Sequence, residues 1–258
     1  MISYIRKAVR ALVGQHNILY FKSLLPNREE EALLNKRIQL YAQFLKRGDL
    51  YFDVGANLGN RIEPVLKIGG RVIAIEPQDV CYKFLTKKFG KKITLIKKGL
   101  ADKAGTREFF VSSVHLTSSF SQEWIDSVKQ SGRFKKREWS KKVVMEMTTL
   151  DALIKEFGVP AFIKIDVEGF ELEVLKGLNC PVPALSFEYT VPELTDRLIE
   201  CIQRIQEINT TAVCNYSVGE SMELSLPKWI AVDEMIKFVR SEKFLDTKFG
   251  DVYMKSSN

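Results

Sequence analysis

Short apolar runs alternate with amphipathic segments along most of this chain. Runs at 50–54, 72–76, 93–97, 162–166 and 184–188 are nearly continuous in Val, Ile, Leu, Phe and Ala, the pattern of strands buried on both faces. Between them, segments 80–89, 149–157, 169–178 and 195–208 repeat apolar residues at helical spacing, as with Leu198, Ile202 and Ile205. Segments 211–216 and 251–255 add two strands after the last of these helices, with a helix at 233–240 between them. Weaker strand patterns stand at 108–111 and 143–147. Such alternation predicts an α/β fold with a mostly parallel sheet covered by helices on both faces. Residues 29–46 are helical in pattern, with Leu33, Ile38, Leu40, Tyr41 and Phe44 able to share a face, and Pro26 and Asn27 mark a boundary before them. The expected organisation is a helical N-terminal extension at 1–49 and one domain at 50–258.

The first strand leads into Asp53-Val-Gly-Ala-Asn-Leu-Gly59, and Ile62, Val65 and Leu66 then repeat at helical spacing. Strand, glycine loop and helix open a nucleotide-binding unit, in which glycines admit close backbone approach and the helix start offers free N–H groups. The spacing is Gly-x-x-x-Gly, with Asn57 where a dinucleotide loop has its middle glycine. Asp53 at the mouth would repel a pyrophosphate and suits a cationic ligand instead. S-adenosylmethionine, with a sulfonium and an ammonium and no phosphate, fits that requirement. Glu76 closes the next strand where a ribose-binding carboxylate is expected.

Each core strand finishes at or near an acid: Asp53, Glu76, Asp102, Asp166 and Glu188. Ligands of an open parallel sheet bind at the carboxyl ends of its strands. Five acids gathered at that edge, on a chain of net charge +7, point to a cationic cofactor, a metal ion or both.

Asp-Val-Gly-Ala-Asn-Leu-Gly at 53–59, Ile-Glu-Pro at 75–77, Leu-Ala-Asp-Lys-Ala-Gly at 100–105, Thr-Leu-Asp at 149–151 and Ile-Lys-Ile-Asp-Val-Glu-Gly at 163–169 occur in that order. The series resembles the FkbM-type branch of class I S-adenosylmethionine-dependent methyltransferases across about residues 50–190. The resemblance implies a Rossmann-like, doubly wound, seven-stranded sheet whose last strand is antiparallel. It also implies methyl transfer to a hydroxyl of a sugar, glycan or small metabolite. With that resemblance, Asp53 would order the loop and hold the methionine ammonium, and Gly55, Asn57 and Gly59 would pass close to the methionine and ribose. Glu76 would accept both ribose hydroxyls. Asp102 would accept from the adenine amine, with Leu100 or Ala101 against the ring. Asp166 and Glu168 would stand beside the methyl, with Lys164 on the same side of the strand as Asp166. Asp166 or Glu188 would serve as base. Alternatively, Asp166, Glu168 and Glu188 would hold Mg²⁺ and lower the acceptor's pKa. His115 is a further candidate base. The chain departs from the family pattern at Lys87-Lys88-Phe89 and through 112–142.

Charge and cysteines narrow the partners. Most of the excess charge sits at 83–98 and 133–142, and neither stretch carries a nucleic-acid-binding motif. The segment 133–142 is expected to be an exposed loop closing near the acceptor mouth. An RNA methyltransferase is the rival reading, although Ile-Asp-Val-Glu at 165–168 replaces the Pro-Pro-Tyr signature of nitrogen-methylating enzymes. A non-catalytic binding module is a second rival. No C-x-x-C pair joins Cys81, Cys180, Cys201 and Cys214, which argues against zinc. No apolar run reaches the roughly 20 residues of a membrane span. Basic residues interrupt the first ten positions, so a cytoplasmic protein is expected.

Overall fold

The computed structural model describes residues 14–25, 28–113, 117–134 and 137–257. His115, the first ten positions, Pro26, Asn27 and two residues of the basic segment lie outside the described residues. The strands are β1 Leu50–Val54, β2 Arg71–Ile75, β3 Thr94–Ile96, β4 Gly99–Leu100, β5 Gly105–Val111, β6 Lys141–Thr148, β7 Phe162–Ile165, β8 Ala184–Thr190, β9 Ala212–Val218, β10 Ile230–Ala231 and β11 Phe249–Ser256. The helices are α1 Gln15–Ser23, α2 Arg28–Tyr41, α3 Ile62–Ile68, α4 Asp79–Phe89, α5 Gln122–Gln130, α6 Leu150–Phe157, α7 Glu171–Lys176, α8 Thr195–Ile208, α9 Val232–Phe238 and α10 Glu242–Leu245.

Among the described residues, eight strands form the main sheet in the order β10-β9-β11-β8-β7-β1-β2-β3. β3, β2, β1, β7 and β8 are parallel, and β11 runs antiparallel between β8 and β9. The expected seven strands are all there, and the two-residue β10 adds an eighth at the edge. The order reverses between β1 and β7. The chain winds outward through β2 and β3, then returns to lay β7 on the other side of β1. That reversal opens a crevice above the carboxyl ends of β1 and β7, the place where such sheets bind ligands.

Every residue of β1 and β7 is buried. Alternation splits them between two layers. Phe52, Val54, Ile163 and Ile165 pack with α6, α7 and α8 through Leu153, Leu175 and Ile202. Tyr51 and Phe162 face the other side, against Leu40 and Tyr41 of α2 and Ile62 and Val65 of α3. Tyr41 meets the rings of Tyr51 and Phe162 edge-on at 5.6 and 5.7 Å. The expected helix at 29–46 therefore ends at Tyr41, and it packs on the sheet through its C-terminal half.

The polar strands form a separate sheet. β4, β6 and β5 make a three-stranded unit in which β5 and β6 are antiparallel. Gly99 and Leu100 are strand through their pairing with Met147 and Thr148. β5 and β6 are mostly exposed or half-buried, too polar for a sheet covered on both faces. α5 is capped by the Ser121 hydroxyl, which accepts from the Trp124 N–H at 3.0 Å. The Thr149 hydroxyl caps α6 in the same way, accepting from the Ala152 N–H at 3.1 Å.

Candidate active site

Two loops stand side by side over the sheet reversal, one after β1 and one after β7. The Asp166 N–H donates to the Val54 carbonyl at 2.9 Å, which stitches them together. Gly55, with φ 83°, lies so close that a Cβ there would overlap the Asp166 carbonyl. Only glycine meets both demands. Gly59 has another role: a Cβ would press on Phe89 and Leu85 of α4, so this glycine seats the loop on the neighbouring helix.

Glu76 stands just beyond β2 and is 2% exposed. Its carboxylate oxygens accept from the Asn57 N–H at 2.8 Å and the Gln78 N–H at 2.7 Å. Asn57 takes a left-handed φ of 47°, which aims its N–H at the acid. Each Glu76 oxygen retains a lone pair for a hydroxyl donor. Asp53 lies deeper, on the Tyr51 side of β1, and accepts from the Tyr51 hydroxyl at 3.1 Å. Its other oxygen is buried with no partner among the described residues. A buried anionic oxygen without a donor suits an ammonium or a water beneath it. Both features fit S-adenosylmethionine.

The cleft is lined by Gly55, Asn57, Glu76, Leu100, Asp166, Glu168 and Glu188. Ala101 is fully buried and Asp102 is turned away, held by the Arg107 guanidinium at 2.7 Å. Neither Ala101 nor Asp102 lines the cleft, so the adenine-side acid expected at 102 is spent on a neighbour in β5. Residues with no signal in the sequence also line it: Arg61, Phe109, Phe120 and Glu220. Arg61 donates to Glu220 at 3.0 Å, and Arg37 of α2 lies 3.7 Å from the other Glu220 oxygen. α2 thus helps fix one wall of the cleft.

Three carboxylates meet at one end of the cleft: Asp166, Glu168 and Glu188. One carboxylate oxygen from each lies within 4.8 Å of the others. Glu168 sits at φ 55°, a conformation that costs a non-glycine residue about 1–2 kcal/mol. Its backbone is held there by the Ser119 hydroxyl, which donates to the Glu168 carbonyl at 2.7 Å. Glu171 secures the same loop by accepting from the N–H groups of Val167 at 3.0 Å and Gly169 at 3.2 Å. Lys164 is buried below the cleft, 2.5 Å from Asp251 and 3.4 Å from Asp166. It does not line the cleft; it supplies positive charge beneath Asp166. Asp251 is its nearer partner, brought from β11 by the pairing of that strand with β8.

Burial pushes these acids up. It raises Glu76 to about 7 and Asp53 to about 6. Glu168 and Glu188 are raised well above the carboxylate range, by burial first and then by Asp166. An acid raised on folding binds its proton more tightly in the folded chain. Its stabilising contribution is full below the unfolded value and is lost as pH rises through the folded one. For Glu76 that window runs from its ordinary 4.5 to about 7. The thermal midpoint of the ligand-free protein should therefore fall between about pH 5 and about pH 8. Saturating S-adenosylhomocysteine should flatten the fall, because ribose hydroxyls donate to the ionised carboxylate. Equal slopes with and without ligand, followed by scanning calorimetry, would remove Glu76 from the binding site.

The sequence profile of the methyltransferase FkbM domain matches residues 53–241. No match is found among curated proteins. Among solved structures, precorrin-6y C5,15-methyltransferase from Geobacter metallireducens GS-15 is 10% identical, covering 92% of this chain and 91% of its own, with a TM-score of 0.44. A TehB-like SAM-dependent methyltransferase from Corynebacterium glutamicum is 9% identical, covering 86% and 88%, with a TM-score of 0.43. An O-methyltransferase from Thermotoga maritima is 10% identical, covering 87% and 65%, with a TM-score of 0.41. The assignment rests on the domain match, which spans most of the chain and the whole crevice described above. The chain belongs to the FkbM family of S-adenosylmethionine-dependent methyltransferases.

Proposed function

We propose that the protein transfers a methyl group from S-adenosylmethionine to a hydroxyl of a sugar, glycan or other small metabolite. The observation that carries this reading is the meeting of two cavities at the acid cluster. Glu168 and Glu188 line both the cofactor cleft and a second cavity walled by Trp124, Phe134 and Phe249. The second cavity is the acceptor's place, and residues 50–258 make the catalytic domain. Arg133, Phe134 and Arg137 of the basic segment line it, half-buried rather than exposed as expected, while Lys141 and Lys142 already belong to β6.

When bound, the cofactor supplies an electrophilic methyl carbon on a sulfonium. Glu76 holds the ribose hydroxyls, Leu100 packs against the adenine, and the unpartnered Asp53 oxygen, buried outside the cleft lining, meets the ammonium directly or through water. Gly55 and Asn57 give the loop its close approach. Holding the acceptor oxygen aligned with the methyl supplies much of the rate. Asp166 takes the hydroxyl proton, which adds about 10²–10⁴-fold. Lys164 steadies its charge from below. Burial favours the protonated forms of Glu168 and Glu188, which donate hydrogen bonds that place the acceptor.

A second reading rests on the spacing of the three acids. Asp166, Glu168 and Glu188 would together hold Mg²⁺, a cation that prefers oxygen ligands and lowers the pKa of a bound hydroxyl. Incubation with methyl-labelled cofactor and hydroxylated acceptors, read by mass spectrometry, should give an O-methyl product. A chelator leaves the rate unchanged if Asp166 is a direct base, and abolishes it, with rescue by Mg²⁺, if the metal acts. Labelled RNA with steep salt dependence and no small-molecule product would replace the proposal with the RNA reading.

All four cysteines are unpaired, which suits the reducing cytosol where we place the protein. No helix of the described residues is long and apolar enough to cross a membrane.

A further inference from the structure

The second cavity carries a charge pattern that a neutral sugar or phenol does not use. Its walls are apolar, built from Trp124, Phe134, Pro192 and Phe249. Phe249 is 43% exposed, so a ring face is open to a ligand. The Trp124 indole N–H is buried with no acceptor among the described residues. Three cations stand in the same walls: Arg133, Arg137 and Lys248.

These cations are not equivalent. Arg133 is spent, donating to the Val191 carbonyl at 2.9 Å, the Lys248 carbonyl at 3.1 Å and Glu193 at 3.0 Å. Among the described residues Lys248 reaches only exposed Asp246, at 3.8 Å. The Arg137 side chain has no acid within ion-pair distance among the described residues. The acids facing them are Glu168, Glu188 and Glu193. Glu193 is paired with Arg133, and among the described residues neither Glu168 nor Glu188 forms an ion pair with Arg137 or Lys248. The cavity is thus apolar along its walls, with an uncommitted guanidinium and a near-free ammonium that lack an anion.

Resting on the acceptor reading above, we infer that the acceptor is a hydroxylated ring bearing an anionic substituent. The ring lies against Phe134 and Phe249, its hydroxyl reaches Glu188, and its anion pairs with Arg137. A carboxylate or a phosphate meets the same requirement, since a guanidinium binds either through paired N–H donors. The planar fork explains why an arginine stands there.

The test uses the full chain saturated with S-adenosylhomocysteine, titrated with matched probes and followed by ligand-observed nuclear magnetic resonance. One pair is 4-hydroxybenzoate and 4-hydroxybenzamide; the other is glucose 6-phosphate and methyl glucoside. The anionic member of at least one pair should bind about 10-fold or more tightly than its neutral partner, and which pair responds identifies the anion. Arg137→Ala should remove that preference, Arg137→Lys should restore part of it, and neither should change affinity for S-adenosylhomocysteine. Equal binding within both pairs, binding of none of the four, or binding of an RNA oligonucleotide alone would overturn the inference. Loss of S-adenosylhomocysteine binding by the unmodified chain would instead overturn the proposed function beneath it.

Discussion

Replacing Asp166 with Asn should lower the methylation rate by about 10²-fold or more while leaving the fold intact. Asn keeps the size of the side chain and removes its charge and its basicity. The backbone N–H of residue 166, which joins the two loops through Val54, is untouched. Cofactor affinity should change far less than turnover, because Glu76 stands beyond β2, away from the loop after β7. Single-turnover kinetics beside an equilibrium titration separate the two. An Asp166→Asn enzyme with unchanged turnover would reduce Asp166 to a counter-ion for Lys164. Loss of cofactor binding equal to the loss of rate would make it part of the cofactor site.

Glu76→Ala should weaken binding of S-adenosylhomocysteine by about 10²-fold. Two hydroxyl donors to one carboxylate, at about 1.5 kcal/mol each, give about 3 kcal/mol. The truncation also strands the Asn57 and Gln78 N–H groups that Glu76 now satisfies. Glu76→Gln keeps an acceptor for one of them and should recover part of the affinity. If Ala and Gln bind as tightly as the native chain, the ribose does not sit at Glu76.

These two acids are the most legible residues in the sequence. Each follows a run of buried residues, and such runs name both the strand and its end. β1 and β7 read clearly because both faces of each are covered, so no charged residue interrupts them except the pair in register, Asp53 and Lys164. The three-stranded sheet is hard to read for the opposite reason. β5 and β6 expose most of their length, and two-residue β4 exists only through its pairing with β6. Asp102 resembles a member of the acid rim because it follows an apolar run. Between that run, which is β3 of the main sheet, and Asp102 the chain enters the small sheet as β4, and Arg107 claims the carboxylate. Arg61, Glu220 and Asp251 leave no signal, because their partners lie far along the chain: Glu220 is 159 residues from Arg61, and Asp251 is 87 from Lys164. Glu171 is different. It stands three residues after Glu168, close enough for its role in holding the loop to be visible in Asp-Val-Glu-Gly-Phe-Glu at 166–171.

The central claim is that the loop between Asp53 and Asn60, with Glu76 beside it, holds a phosphate-free cationic nucleoside. Calorimetric titration of the native chain with S-adenosylmethionine, S-adenosylhomocysteine and NAD tests it directly. Both sulfur nucleosides should bind at one site, their affinity should fall about 10²-fold in Glu76→Ala, and NAD should give no heat. Binding of NAD with no response to either sulfur nucleoside would contradict the account.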